Sequence, residues 1–235
     1  MKETHPFLEL GKVPNSTKLI LGSFPVYSIT IPDSEEKLKI RKSEGTVQFF
    51  YGSCHSSFWG LYYLYIDSSL QIPITAEDAL SNLVKNQIAI SDIIMECERA
   101  GKSALDKDLK KRIYNIEMIN EYLDSGVTKI LCTSKGVMEM FHEKVLKKSK
   151  EIIFQESESR KWQAEIISKI NGNDMQVKKL ICRQYRYKGK TVRLISIPSP
   201  GSPQRQLKQF GFVGDDWRIY ADKYFEFSFK WLKID

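Results

Sequence analysis

Cysteine is scarce in this chain: four in 235 residues, Cys54, Cys97, Cys132 and Cys182, and none stands in a C-x-x-C pair. That spacing disfavours a zinc or iron–sulfur site and makes free thiols in a reducing compartment the default. No apolar run approaches the ~20 residues that cross a bilayer. The opening "MKETHPFLEL" lacks the basic-then-apolar order of a signal peptide, so a cytoplasmic protein with no membrane partner is expected. Internal repeats, low-complexity blocks and long Pro/Gly/Ser linkers are missing too. A single domain over residues 1–235 is therefore expected, with a charged insertion and hairpin around 147–190. Neither G-x-G-x-x-G nor G-x-x-x-x-G-K-S/T occurs, which disfavours a nucleotide cofactor. The absence of G-x-S-x-G disfavours a serine hydrolase. Metal: none and cofactors: none are the expectations.

What is present is 42% hydrophobic content, enough for one sizeable core. Lys and Arg number 36 against 29 Asp and Glu, a net charge of +7. Such a balance favours a polyanionic partner through phosphate contacts and counterion release.

Buried strands alternate with helices along the chain. "TKLILGSFP" reads as a strand, Lys18 to Leu21, running into a Gly22-Ser23 turn. Phe58 to Ile66 suits an apolar helix, and Thr75 of "TAED" has the spacing of a helix cap. "QIAISDII" is a second strand, and "NIEMINEYLDSG" an amphipathic helix closed by Gly126. "VTKILCTS" is a third strand, after which Thr133 or Ser134 caps a helix through "KGVMEMFHEKVLKK". Lys188-Gly189 turns a hairpin whose second arm, "VRLISI", is a fourth strand leading into a proline-rich loop. "DDWRIYADKYFEFSFKWL" is a final helix. The pattern predicts an α/β fold with a mainly parallel sheet. In such sheets a ligand sits beyond the carboxyl ends of the strands, here the loops "GSFPVYS", "SDIIMECE", "CTSKG" and "IPSPGSPQR".

"QFFYGSCHSSFWGLYYLY", residues 48–65, places aromatics on both sides of a small polar loop. Taken with "LILGSFPVYS", "IAISDIIMECERAG", "TKILCTSKGVMEMF" and "ISIPSPGSP", in that chain order, it resembles the uracil-DNA glycosylase superfamily. The hypoxanthine-DNA glycosylase and mismatch-specific uracil-DNA glycosylase branches are the most similar. The resemblance covers about residues 18–205. It implies a monomeric three-layer α/β/α sandwich around a four-stranded mainly parallel sheet. It also implies hydrolysis of the N-glycosidic bond of a flipped-out base in DNA, received in a pocket that stacks on its face.

By that resemblance Gly22, Ser23, Phe24 and Pro25 form the first substrate loop and Tyr51 is the aromatic that faces the base. Phe58 and Trp59 anchor the loop in the core. Ser199, Gly201 and Ser202 form the loop that pinches the DNA backbone, with Gln204 and Arg205 following as a wedge or phosphate clamp. Asp92 falls where the family carries a polar residue that reads the base edge or supports catalysis, and a helix cap is its alternative role.

Two positions depart from the family pattern. Related enzymes hold the attacking water with an Asn or Asp in the first loop, or with the Asn of the x-N-x-F-W run; here Phe24 and Ser56 stand there. The His-Pro step is replaced by Ser53-Cys54, with His55 displaced by two positions. Three alternatives stay open: His55 or Ser56 positions the water, a carboxylate from Asp33 to Glu44 or Asp92 acts instead, or the protein binds without cleaving. The candidate catalytic set is Ser56, His55 and Asp92. His5 in the N-terminal segment and His142 on a charged helix face are expected to stand apart from it.

Overall fold

The computed structural model describes residues 2–30, 45–101, 105–146, 151–170, 177, 179–201, 207–211 and 217–234. In chain order the first half holds β1 (Lys2–Thr4), β2 (Lys18–Gly22), α1 (Tyr27–Thr30), α2 (Phe58–Tyr65), α3 (Ala76–Lys85), β3 (Ile88–Asp92), β4 (Ile94–Arg99) and β5 (Leu109–Tyr114). The second half holds α4 (Ile116–Ser125), β6 (Lys129–Cys132), α5 (Lys135–Met140), β7 (Ile152–Phe154), α6 (Glu156–Lys169), β8 (Cys182–Tyr187), β9 (Lys190–Ser196) and α7 (Trp217–Lys233).

The central sheet has six strands in the order β3-β2-β6-β9-β8-β7 and is mixed, where four mainly parallel strands were expected. β3, β2, β6 and β9 pair with one another in parallel, and β8 and β7 then extend the β9 edge with antiparallel pairing. The extension follows from the hairpin. Lys188 and Gly189 both take positive φ, +46° and +79°, the geometry that folds β8 back onto β9 in a two-residue turn. β2 and β3 are buried along their whole length, as parallel strands covered on both faces are. Leu19, Ile20, Ile90, Leu131, Leu194 and Ile195 are fully shielded at its centre.

A second, antiparallel sheet of β1, β4 and β5 was not expected, because "IIMECE" reads as a loop after β3. The chain instead continues from Asp92 through Ile93 directly into β4. Its partner β1 lies at the far N-terminus, with Glu3 opposite Cys97.

Helix ends match their chemistry. Thr75 Oγ1 accepts from the Asp78 amide at 3.0 Å, and Ser134 Oγ accepts from the Val137 amide at 3.1 Å. Gly126 closes α4 at φ +117°, a conformation costly to any side chain. Because β2, β3, β6 and β9 run the same way, Gly22, Asp92, Cys132 and Ser196 end at one edge of the sheet.

Candidate functional site

β2 and β3 are in register to their last residues, so Gly22 sits directly beside Asp92. A Cβ built on Gly22 would lie 1.9 Å from Tyr51 Oη and 2.1 Å from Asp92 Oδ1. No side chain fits. Glycine is therefore what lets the Tyr51 phenol cross the strand end and reach the neighbouring strand. Tyr51 itself holds φ +54°, a conformation rare for an aromatic residue and maintained only where surrounding contacts enforce it.

Asp92 is buried, and its Oδ2 lies 2.8 Å from His5 Nε2. The Phe7 amide donates to His5 Nδ1 at 3.1 Å, so the ring proton belongs on Nε2 and is donated to the carboxylate. Phe24 and Phe50 pack on this imidazole with centroids at 5.5 and 5.2 Å. The expectation that His5 stands apart is thus overturned: β1, pairing with β4, carries the chain past the end of β3 and delivers the ring to Asp92.

The Tyr51 hydroxyl is 3.1 Å from Thr133 Oγ1 and 3.4 Å from Asp92 Oδ1. Burial, reinforced by the Asp92 charge, raises the phenol well above its ordinary value, so it remains an O–H donor. Its ring is half-buried and rests on Phe58, centroids 4.4 Å apart. Phe58 and Trp59 are core residues, and Trp59 Nε1 donates to the Phe50 carbonyl at 2.9 Å.

A shell of polar contacts holds these groups. Buried Asn115 donates through Nδ2 to the Asp92 carbonyl at 3.2 Å, and its amide donates to the Ile93 carbonyl at 2.9 Å. Arg99 makes a two-point pair with Glu3, Nε to Oε1 at 2.9 Å and Nη2 to Oε2 at 3.1 Å. Its Nη2 also donates to the Pro25 carbonyl at 2.7 Å, and the guanidinium lies 5.7 Å from the Phe24 ring centroid. Phe24 and Pro25 are consequently buried. Ser23 is half-exposed.

The other expected residues that are described make different contacts. Ser56 Oγ accepts from the Phe58 amide at 3.3 Å at the start of α2 and lines an open surface groove of about 910 Å³ with Gly60, Leu61 and Leu64. His55 is exposed, and no contact among the described residues joins it to Asp92 or Tyr51. The Pro200 carbonyl accepts from both the amide and the hydroxyl of Ser57, at 3.2 and 2.9 Å, which ties the proline-rich loop to the start of α2. Ser199 is half-buried and Gly201 exposed on that loop. Ser202, Gln204, Arg205 and the segment Asp33 to Glu44 lie outside the described residues.

The arrangement gathers a carboxylate, an imidazole, a phenol and a hydroxyl at the carboxyl ends of parallel strands. A carboxylate so placed can orient water or stabilise a developing positive charge, and the phenol can donate to an acceptor. Among the described residues no group of three His, Cys, Asp or Glu side chains is assembled for a metal, and no helix is long and apolar enough to cross a membrane. His5, Asn115, Arg99 and Thr133 were not named from sequence as site residues. No local signal marks the first three, since their partners are distant in the chain. No protein-family model matches the chain, and a search of curated proteins finds no match.

Proposed function

We propose that this chain is a monomeric, cytoplasmic DNA glycosylase that hydrolyses the N-glycosidic bond of a flipped-out deaminated base, uracil or hypoxanthine. The fold would be the three-layer α/β/α sandwich of the uracil-DNA glycosylase superfamily. One observation carries this reading: Gly22, Tyr51, Asp92 and Thr133, drawn from four separate segments that resemble that superfamily, meet in one hydrogen-bonded cluster at the strand ends.

Cleavage of a nucleoside passes through an oxocarbenium-like state that needs negative charge near the sugar and a positioned water. Phe24 is buried, and Ser56 is engaged at the start of α2, so neither supports the water-holding role that an Asn has in related enzymes. Asp92 takes that role in this proposal, its carboxylate oriented by His5. Tyr51 presents the ring on which the base stacks, and Gly22 and Ser23 approach the base with their backbone. Ser199, Gly201, Ser202, Gln204 and Arg205 would contact the DNA backbone, which suits the net charge of +7.

The test is a single-turnover assay with excess protein on labelled oligonucleotides carrying uracil, hypoxanthine or xanthine, with alkali to reveal abasic sites and parallel gel shifts. Abasic sites formed by the wild type and lost in Asp92→Asn support the reading. Tighter binding of damaged DNA with no base released would establish the second reading, a non-catalytic DNA-binding member of the fold. The loss of both usual amide positions, at Phe24 and Ser56, is the observation that favours that alternative.

A further inference from the structure

A second cleft lies at the opposite edge of the sheet from the candidate site. Lys129 opens β6, whereas Cys132 ends it, and Arg193 of β9 is the register partner of Lys129. These two residues form the floor. α6 turns Trp162, Glu165 and Lys169 toward it at helical spacing, and α7 turns Lys223, Phe227 and Trp231, each one turn from the next. The cleft between them has a volume of about 550 Å³, within the range of small-molecule sites.

The walls are fixed by contacts of their own. Trp162 and Trp231 pack with ring centroids 5.6 Å apart at 49°, too close and too tilted for a ligand ring to enter between them. The Arg193 guanidinium lies 5.2 Å from the Trp162 centroid, and its Nε donates to Gln184 Oε1 at 3.0 Å. Lys129 Nζ lies 5.7 Å from the Trp231 centroid and donates to the Trp231 carbonyl at 3.3 Å and to the Ile234 carbonyl. Lys129 is thereby committed to the end of α7, and Lys230 to Glu226 at 2.6 Å. Lys169, Lys223 and the two Nη groups of Arg193 make no hydrogen bond or ion pair among the described residues. Lys223 is half-buried, so its ammonium is partly stripped of water without a paired carboxylate.

We propose that this cleft binds a nucleotide, its phosphate held by Arg193, Lys169 and Lys223 and its base laid against Trp231 and Phe227, both half-buried. The proposal does not depend on the glycosylase reading. A guanidinium held on an indole presents its outer N–H edge in a fixed direction, and two such donors match two phosphate oxygens. Lysines on the two facing helices add charge from both sides. Among the described residues five basic side chains line the cleft against two acidic ones, Glu165 and Glu226, and Glu226 is already paired. That excess favours an anion, and the aromatic wall favours one that carries a ring over bare phosphate. A free nucleotide and a nucleotide within a single strand present the same chemistry.

The experiment titrates the full chain by calorimetry with adenosine 5′-monophosphate, adenosine, inorganic phosphate and a mixed-sequence single-stranded oligonucleotide. Wild type is compared with Lys169→Gln/Lys223→Gln and with Lys111→Gln/Lys161→Gln, which removes the same charge from exposed positions outside the cleft. Equal thermal melts show that all three proteins are folded. The monophosphate or the oligonucleotide should bind, about tenfold or more weakly to the cleft variant and unchanged to the control. A monophosphate bound as well as the oligonucleotide identifies a free nucleotide as the ligand; a far tighter oligonucleotide identifies a single strand. Binding of neither, no weakening in the cleft variant, or equal weakening in both variants overturns the proposal. Adenosine or inorganic phosphate bound as tightly as the better of the two probes overturns it as well.

Discussion

His5 and Asp92 stand 87 residues apart in the chain and are joined by a 2.8 Å hydrogen bond in the interior. The imidazole is sealed from solvent, and its second nitrogen already accepts from the Phe7 amide, so its orientation is fixed on both sides. A carboxylate held in this way loses little orientational freedom when a substrate arrives.

Replacing His5 with Ala should remove the partner of Asp92 Oδ2 and that of the Phe7 amide, leaving the carboxylate only its longer Tyr51 contact. Each orphaned group costs about 1–3 kcal/mol. Denaturant melts should show a lower midpoint, and base release should slow while Ser56→Ala, on the α2 surface, stays at the wild-type rate.

Gly22→Ala puts a methyl where the Tyr51 hydroxyl and Asp92 carboxylate now lie. Overpacking of this kind costs about 1–3 kcal/mol, and here the groups forced aside are those of the site. The expected result is a modest fall in stability with a much larger loss of activity. Equal activity in Gly22→Ala would show that the Tyr51–Asp92 contact is not used.

Glu3 and Arg99 form an ion pair whose side chains are 4% and 1% exposed. Glu3→Gln leaves a buried guanidinium without its countercharge and should cost about 3–5 kcal/mol. A double change of Glu3→Gln with Arg99→Met should recover part of that loss. Chemical denaturation of the two single variants and the double variant measures the coupling.

Asp67 reports on acid stability. Partial burial pushes its carboxyl up, but Lys85, Ser69 and Asn86 together hold it well below the usual carboxylate range. A lowered folded-state value stabilises the protein above the unfolded value, about pH 4, and that contribution fades as pH falls further. Thermal melts below about pH 4 should therefore drop more steeply for wild type than for Asp67→Asn.

How far the sequence carries depends on the range of the interaction. The strand β2, the cap at Thr75, the closure at Gly126, the hairpin turn at Lys188-Gly189 and the strands ending at Asp92 and Ser196 were all legible, because each is decided within a few residues. Hydrophobic runs reveal burial, and small polar residues reveal caps and turns. The sheet's full width was not legible. "EIIF" at β7 is too short to declare itself, and only docking onto β8 makes it a strand. β1 is equally silent, three residues whose identity as a strand depends on β4.

The same division runs through the candidate site. Sequence alone determined that a glycine would end the first strand, that a carboxylate would follow the second, and that an aromatic would precede the polar loop of "GSCHSS". It could not determine that Tyr51, Asp92 and Thr133 touch, that His5 completes their network, or that Ser56 and His55 stand outside it. Those facts are set by parallel strands brought into register and by an N-terminal strand paired across the chain. Such pairings join residues tens of positions apart, so only the tertiary structure places them within hydrogen-bond distance.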